Sequence, residues 1–476
     1  MAQMNQIIED LTGIAGRDRL KTDPDVTARY NVDGLTPKAV AFPTSTKMVS
    51  EIVQCAGRGG LAVVPWGGGT KMSMGNPPER LDLVICTSGM NHMLDVDTAN
   101  LTITVEAGVR FRDIQARLAT QEDRCYLPLE GLTTEKGEFI CSDRSNSGCF
   151  LPLDPPFSEK ATIGGIVATN SSGPKRLLYG LPRDLVLGIR FVTPKGDIVG
   201  AGGKTVKNVS GYDVSKLMIG SQGSLGILCE MTLRLLPLPE RMETLVLGFG
   251  SLSDATGFAD SVMRTKLLPA ALELADRAAL EGMGLNGVVE PGESSFFVLV
   301  GMEGCTEAVA RMARELPAVA GRFSAKGQAS VQEEQHSALW LKAGMLQSTL
   351  AERCPALTAL QLSYPLSEWK RLYEFAGKTL SRSGIDHTLL CHCGSGVTLV
   401  NVLPEKAGAG KPLNDSIEAM LAECRKAGGN LVIRRAAPEW KKTLPVWGEM
   451  GSELALMKRI REQIDPSGIM SPGRLL

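Results

Sequence analysis

Two glycine-rich stretches constrain this chain more than any other feature of its sequence. The first is Pro65-Trp66-Gly67-Gly68-Gly69-Thr70, which ends the apolar, strand-like segment 61–66. Glycine permits positive φ and a close approach of the backbone to a ligand, and successive N–H groups in such a loop form a concave anion site. The loop therefore suits a pyrophosphate, although a run of glycines is also typical of a plain tight turn. Its spacing matches neither the Rossmann dinucleotide fingerprint nor a nucleoside triphosphate loop.

The second stretch begins at Ala161-Thr162-Ile163-Gly164-Gly165 and extends to Gly223-Ser224-Leu225-Gly226-Ile227. It holds more small residues than an ordinary core needs, among them Gly164, Gly165, Ala168, Ser171, Ser172 and Gly173. Such residues offer little packing volume and favour a backbone that lies against a large flat cofactor.

Composition excludes several classes of function. Lys plus Arg is 51 and Asp plus Glu is 52, so a net charge of −1 gives no electrostatic case for binding nucleic acid or an anionic membrane. No apolar run is long enough for a transmembrane segment, and the N-terminus lacks a secretory pattern. The 11 cysteines show no metal-site spacing and indicate reduced thiols in a cytoplasmic chain.

Local patterns predict several secondary-structure elements. Ser45 or Thr46 is the expected cap of a helix whose apolar positions Val49, Ile52, Val53 and Ala56 lie on one face. Segments 186–193 and 197–201 are expected to form a hairpin, and 225–236 a long apolar strand. Segment 387–404 is expected to form a second hairpin that turns at 394–396.

Strand and helix patterns alternate along the chain and predict its organisation. Residues 1–36 are a lead-in, 37–240 form one domain, 241–440 a second α+β domain, and 441–476 a C-terminal segment. In the second domain, strands followed by helices predict a sheet with helices on one face. Segment 122–149 is polar and unusually long, which indicates a surface loop or, alternatively, a docking loop for a partner.

Taken in order, several motifs resemble those of FAD-dependent oxidoreductases of the vanillyl-alcohol oxidase type, with a PCMH-type flavin domain. Within that family the chain is most similar to the smaller FAD-binding subunits of bacterial glycolate oxidases. The matching motifs are PWGGGTKMSMGN from Pro65, LPLDPP from Leu151, ATIGGIVATNSSGPKRLLYG from Ala161, the segment 183–228, and the C-terminal segment 445–475. The resemblance implies an α+β fold: a two-part PCMH-type FAD-binding domain and a cap domain with a mainly antiparallel sheet, with the C-terminal segment returning to the flavin.

The resemblance also implies which residues bind FAD. They are Pro65, Gly67, Gly68, Gly69, Thr70, Ser73, Gly75, Asp154, Thr162, Gly164, Gly165, Ala168, Ser172, Gly173, Tyr179, Gly223, Gly226, Ile227 and Arg474. Arg474 would approach the isoalloxazine, where a cation stabilises the negative charge of the reduced ring; the alternative is a solvated charge near the chain end. Lys71 stands where the family usually has serine. The first glycine loop contains no histidine, so we expect non-covalent, dissociable FAD.

On the substrate side, related catalytic subunits carry a His-x-Gly-Asp-Gly-Asn-x-His segment whose histidines bind a divalent metal. Here the segment reads His392-Cys393-Gly394-Ser395-Gly396-Val397-Thr398-Leu399, so only the first histidine is kept and we expect no catalytic metal. His392 is the candidate general base, because a neutral imidazole can take a hydroxyl proton. The alternative is a buried structural histidine, with Cys391 and Cys393 on the opposite face of the strand.

The resulting hypothesis is an FAD-binding subunit of a glycolate- or lactate-type 2-hydroxy-acid dehydrogenase. The resemblance implies two partners, a second flavin subunit and an iron–sulfur subunit, in the cytoplasm or held peripherally at the inner membrane through them. One alternative is a stand-alone flavoenzyme for a small hydroxy acid or alcohol. Another is a non-catalytic scaffold that has kept the fold.

Overall fold

The computed structural model describes residues 2–119, 148–205, 211–288, 292–403 and 410–476. The predicted loop 122–149 lies outside the described residues except at its end, where Cys149 enters a short strand. The hypothesis of a docking loop therefore stays a prediction.

A four-stranded sheet forms the N-terminal part, with the strand order β1-β2-β4-β3. Its elements are α1 (Ala2–Ala15), β1 (Leu20–Lys21), α2 (Pro24–Thr27), β2 (Ala39–Ala41), α3 (Thr46–Gly59), β3 (Val63–Trp66) and β4 (Leu83–Cys86). The Ser45 side chain caps α3 by accepting from the Met48 amide at 3.2 Å, and Gly60 ends the helix at φ +63°. The predicted start of this helix is thereby confirmed. Because β3 ends at Trp66, the glycine loop begins at the carboxyl end of a parallel strand.

A second, five-stranded antiparallel sheet has the order β5-β6-β10-β8-β9. The elements of this region are β5 (Met93–Asp97), β6 (Thr102–Glu106), α4 (Phe111–Ala119), β7 (Cys149–Phe150), α5 (Ile163–Ala168), α6 (Arg176–Tyr179), α7 (Pro182–Leu185), β8 (Val186–Val192), β9 (Ile198–Gly202), α8 (Val214–Met218), β10 (Ile227–Arg234) and β11 (Leu236–Pro237). The predicted hairpin is confirmed as β8 and β9. The predicted strand 225–236 is divided in two, since Leu236 leaves the sheet to pair with Phe150.

The C-terminal half contains an eight-stranded, wholly antiparallel sheet of order β15-β12-β14-β13-β17-β18-β16-β19. Its strands are β12 (Arg241–Phe249), β13 (Ala271–Asp276), β14 (Phe296–Gly304), β15 (Gly327–Gln332), β16 (Thr358–Ser363), β17 (His387–His392), β18 (Val397–Val402) and β19 (Asn430–Arg435). The helices are α9 (Leu252–Met263), α10 (Arg277–Gly282), α11 (Thr306–Ala320), α12 (Glu333–Arg353), α13 (Trp369–Arg382), α14 (Gly410–Lys426), α15 (Pro438–Lys441) and α16 (Glu453–Ile464).

Helices cover both faces of this sheet, so the prediction of helices on one face was wrong. α9, α11, α13 and α14 pack in one core cluster, whereas α10 and α12 pack in another on the opposite face. Strand β14 shows the reason: Val298 and Val300 belong to the first cluster and Phe297 and Leu299 to the second. A strand that is apolar on both faces must be covered on both.

The C-terminal segment returns to the first sheet. Val63 and Met470 form a parallel bridge, in which the Val63 amide donates to the Ile469 carbonyl and the Ser471 amide to the Val63 carbonyl, each at 2.8 Å. The buried Asp465 carboxylate accepts from the amides of Ile469 at 3.2 Å and Met470 at 2.8 Å. These bonds bring Arg474 beside the glycine loop that follows β3.

Candidate functional site

A cleft of about 800 Å³ lies between the first two sheets. The predicted residues that line it are Pro65, Gly67, Gly68, Gly69, Thr70, Thr162, Gly164, Gly165, Ala168, Gly223, Gly226, Ile227 and Arg474. Lining residues that the sequence analysis did not assign to the cofactor are Val64, Trp66, Lys71, Met72, Thr87, Ala107, Thr169, Ser221, Gln222 and Leu228. Both glycine-rich stretches thus face one cleft.

Close backbone packing explains why the first loop needs glycine. A Cβ at Gly67 would overlap the Thr162 hydroxyl, and one at Gly68 would overlap the Lys160 carbonyl oxygen. Gly69 adopts φ +72°, a conformation that L side chains rarely take. The first glycine loop therefore packs directly against the start of the second stretch, where a side chain on either glycine would not fit.

Two features of the cleft fit an anionic dinucleotide. A Cβ at Gly165 would meet only the Thr162 Oγ1, at 3.4 Å, so this position borders open space that a side chain would fill. Arg474 is buried, and its Nη2 donates to the carbonyls of Met72 and Met74. Its Nη1 has no hydrogen-bond partner among the described residues and lies 3.8 Å from the Asp33 carboxylate. A buried donor without an acceptor suits a cleft that receives an anion. The residues present therefore fit FAD.

Six predicted cofactor residues lie outside the wall of this cleft: Ser73, Gly75, Asp154, Ser172, Gly173 and Tyr179. Gly75 packs against the C-terminal segment, because a Cβ there would lie 2.9 Å from the Arg474 carbonyl. Asp154 accepts from the amides of Gly173 at 2.8 Å and Lys175 at 2.6 Å, and from the Ser172 hydroxyl at 3.3 Å. Burial raises the pKa of Asp154 to about 6, although these hydrogen bonds oppose the rise. Asp154 thus holds the loop that leads into α6.

A buried ionic network joins that loop to the large sheet. The Lys175 Nζ lies 2.9 Å from the Glu303 Oε1, and the His336 Nε2 contacts the same oxygen at 2.9 Å. The Tyr179 hydroxyl donates to the other Glu303 oxygen. Burial opposes the ionisation of Glu303, but Lys175 and His336 outweigh it and lower the pKa of this carboxyl. Tyr179 therefore contacts the large sheet.

His392 lies at the end of β17, buried, and faces Glu273 directly in the register of β13 and β17. Its Nδ1 lies 2.7 Å from both carboxylate oxygens of Glu273. Burial, and then the guanidinium groups of Arg176 and Arg434, lower the pKa of His392 well below its usual value, so the imidazole is neutral at pH 7. Burial likewise raises the pKa of Glu273 well above its usual range. Cys391 and Cys393 lie in the core on the other face, as predicted from strand alternation.

His392 lines a small cavity of about 420 Å³ together with Leu399, Asn401, Gln347 and Arg434. Leu399 occupies the position at which the resemblance places the second histidine of related catalytic subunits. An apolar side chain therefore lies in the cavity wall at this point. Among the described residues, no group of three or more His, Cys, Asp or Glu side chains is arranged to hold a metal ion.

A third cavity, of about 1150 Å³, shares wall residues with each of the other two, and we call it the basic cavity. It shares Gly68, Gly69, Thr70 and Lys71 with the cleft and Gln347 and Arg434 with the His392 cavity. Its remaining wall consists of Ser73, Met74, Phe157, Lys160, Ser348, Ala351, Glu352 and Arg435.

Glu273, Arg176 and Arg434 were not among the predicted site residues. For Glu273 there was a signal, since a carboxylate interrupts the apolar strand Ala271–Asp276.

Comparisons with known proteins agree with this site. A family model described as an FAD binding domain matches residues 37–135 and 144–202, and one described as the C-terminal domain of FAD linked oxidases matches residues 238–475. The chain is 28% identical to glycolate oxidase subunit GlcD of Bacillus subtilis, over 96% of this chain and 92% of that protein. It is 28% identical to D-2-hydroxyglutarate dehydrogenase of Xanthomonas citri pv. viticola, over 96% and 94% of the two chains.

Solved structures share the fold. The structure of p-cresol methylhydroxylase with substrate bound matches with a TM-score of 0.75 at 15% identity, over 100% of this chain and 97% of that chain. A 4-ethylphenol oxidase from Gulosibacter chungangensis matches with a TM-score of 0.72 at 14% identity, over 99% and 97%. Within the described residues no helix is both long and apolar enough to span a membrane.

Proposed function

Since this chain belongs to the FAD-linked oxidases, we propose that it binds FAD non-covalently in the cleft between the glycine-rich stretches and oxidises a 2-hydroxy acid. Relatives named glycolate oxidase subunit, D-lactate dehydrogenase and D-2-hydroxyglutarate dehydrogenase support this substrate class. When bound, FAD supplies a two-electron acceptor for the hydride that leaves the substrate carbon. The chain's own residues supply binding, orientation and the proton acceptor.

The observation that carries the proposal is the pair of His392 and Glu273 in the wall of a cavity that shares Arg434 with the basic cavity. The contact of Glu273 with Nδ1 orients the ring, and the low pKa of the ring keeps it neutral. In the state in which Glu273 is ionised and accepts from Nδ1–H, the free lone pair of Nε2 can take the hydroxyl proton as the C–H bond breaks. Arg434 lines the same cavity and supplies a cation for the substrate carboxylate.

Single-turnover bleaching of the flavin in the purified full chain tests this function. We expect glycolate or D-lactate, mixed without oxygen, to reduce the flavin absorbance. His392→Gln should slow the bleaching about 10²- to 10⁴-fold while FAD content is kept. The half-buried His387→Gln variant, at the other end of the same strand, is the control and should bleach at the normal rate. A His392→Gln variant that bleaches as fast as the wild type would exclude this histidine as the base. Acid precipitation should release the yellow flavin into the supernatant.

The chain's place in a complex is part of the same proposal. Similarity to a protein named as a subunit supports partners, and we propose a second flavin subunit and an iron–sulfur subunit that receive the electrons. These partners would also account for peripheral attachment at the inner membrane. Affinity purification from the native source should then yield a stable heteromer. The stand-alone alternative predicts instead that the isolated monomer sustains full steady-state turnover with a small acceptor.

A further inference from the structure

We propose that the basic cavity is an anion subsite for a second acidic group of the substrate, so that the preferred 2-hydroxy acid carries a carboxylate or phosphate besides its own carboxylate. The inference rests on the proposed function, because the cavity lies beside the proposed hydride acceptor and base. It deepens that function by stating which 2-hydroxy acids the site selects.

The wall of the basic cavity carries mostly positive charge. Lys71, Lys160, Arg434 and Arg435 line the basic cavity, and among the described residues of its wall only Glu352 carries a negative charge. The hydrogen-bond partners of the two central cations are neutral: the Lys71 Nζ donates to the Ser171 Oγ at 2.8 Å, and the Arg434 Nη1 to the Gln361 Oε1 at 3.1 Å. Cations that are removed from water without carboxylate partners favour an anionic ligand.

The electrostatics of Lys71 agree with this argument. Burial, and then the guanidinium groups of Arg434 and Arg176, lower the pKa of Lys71 well below its usual value. The side chain is nevertheless partly accessible, because it borders both the cleft and the basic cavity. An anion in the basic cavity would offset this repulsion and favour the charged ammonium.

The positions of these cations separate the second acidic group from the reacting carbon. Arg434 is shared between the basic cavity and the His392 cavity, so one guanidinium suffices for the carboxylate next to the reacting carbon. Lys71, Lys160 and Arg435 line the part of the wall that the His392 cavity does not share. The basic cavity is larger than a two- or three-carbon acid requires. A longer substrate with a distal anion would reach these three cations.

The test compares acids of equal length in the FAD-loaded full chain. 2-Hydroxyglutarate and 2-hydroxyvalerate differ only in a terminal carboxylate, and 3-phosphoglycerate presents a phosphate instead. We expect kcat/KM for flavin reduction to be about ten-fold or more higher for one of the two dianionic substrates than for 2-hydroxyvalerate. Which of the two is preferred identifies the second group. Calorimetry with glutarate against valerate, neither of which can be oxidised, should show the same preference in binding.

Variants then locate the subsite. Lys71→Met and Arg435→Met should each lower a kcat/KM ratio about ten-fold, namely that of the preferred substrate with two acidic groups to 2-hydroxyvalerate. Lys71→Arg should restore part of this ratio. Lys342→Met is the control, because this exposed lysine lies on α12 outside the cavity wall. Equal kcat/KM for 2-hydroxyvalerate and both dianions would overturn the inference while leaving the proposed function intact. The inference would also be overturned if Lys71→Met left this kcat/KM ratio unchanged and weakened FAD binding, since the Lys71 ammonium would then bind the cofactor. If no 2-hydroxy acid reduces the flavin, the proposed function itself fails.

Discussion

Replacing Glu303 by glutamine should destabilise the protein more than any exchange of a surface carboxylate. Glu303 and Lys175 are both buried, and their charged atoms are 2.9 Å apart. At an effective dielectric constant of about 20, two unit charges at this distance attract by about 6 kcal/mol, part of which offsets the cost of removing both from water. Glu303→Gln leaves the Lys175 ammonium buried without this carboxylate. We expect the free energy of unfolding to fall by about 3–5 kcal/mol.

Urea unfolding followed by tryptophan fluorescence measures this loss. The matched control is Glu293→Gln, whose carboxylate pairs with Lys326 at 2.7 Å on the surface, and this exchange should change the stability little. In a double-mutant cycle, Lys175→Met with Glu303→Gln should cost clearly less than the sum of the single changes. If Glu303→Gln costs no more than Glu293→Gln, the network does not hold the loop after Asp154 to the large sheet.

The pH dependence of stability gives an independent measure of the same network. Burial opposes ionisation of Glu303, but Lys175 and His336 hold its pKa below the ordinary value of 4.5. The stabilisation is therefore fully present above pH 4.5, and it is lost as the pH falls through the lower pKa of the folded state. Between neutral pH and acid, the wild type should lose stability more steeply than Glu303→Gln.

Four further changes test the cleft and its support. Gly165→Val should weaken FAD binding about ten-fold or more in a fluorescence titration, because the valine side chain enters the cleft. Gly164→Ala should instead lower the melting temperature, since the alanine Cβ would lie 2.8 Å from the Cβ of Ala107. Arg474→Met should weaken FAD binding by about 1–3 kcal/mol through loss of a buried cation, and unchanged affinity would refute its role. Asp465→Ala should lower the free energy of unfolding by about 1–3 kcal/mol in urea titrations, because two buried amides lose their acceptor.

Local patterns predicted much of the secondary structure. The cap at Ser45, the hairpin of β8 and β9 and the strand ending at His392 all follow from signals within about ten residues of each feature. Local patterns did not predict α12, whose buried residues pack on the face of the sheet that we expected to have no helices. A strand such as β14 shows an unbroken apolar run, and the run alone does not reveal what covers each face.

The sequence by itself determined where two backbones can come close to a ligand or to each other, because glycine allows a conformation and a closeness that side chains prevent. The resemblance also singled out His392, the one histidine that this chain keeps from the His-x-Gly-Asp-Gly-Asn-x-His segment of related subunits. Only the tertiary structure decided what surrounds that histidine. Glu273 is 119 residues away in the chain and becomes its partner through strand register. Lys71 lies in the loop after β3 and Arg434 in β19, yet they share one cavity, because folding brings segments together across hundreds of residues.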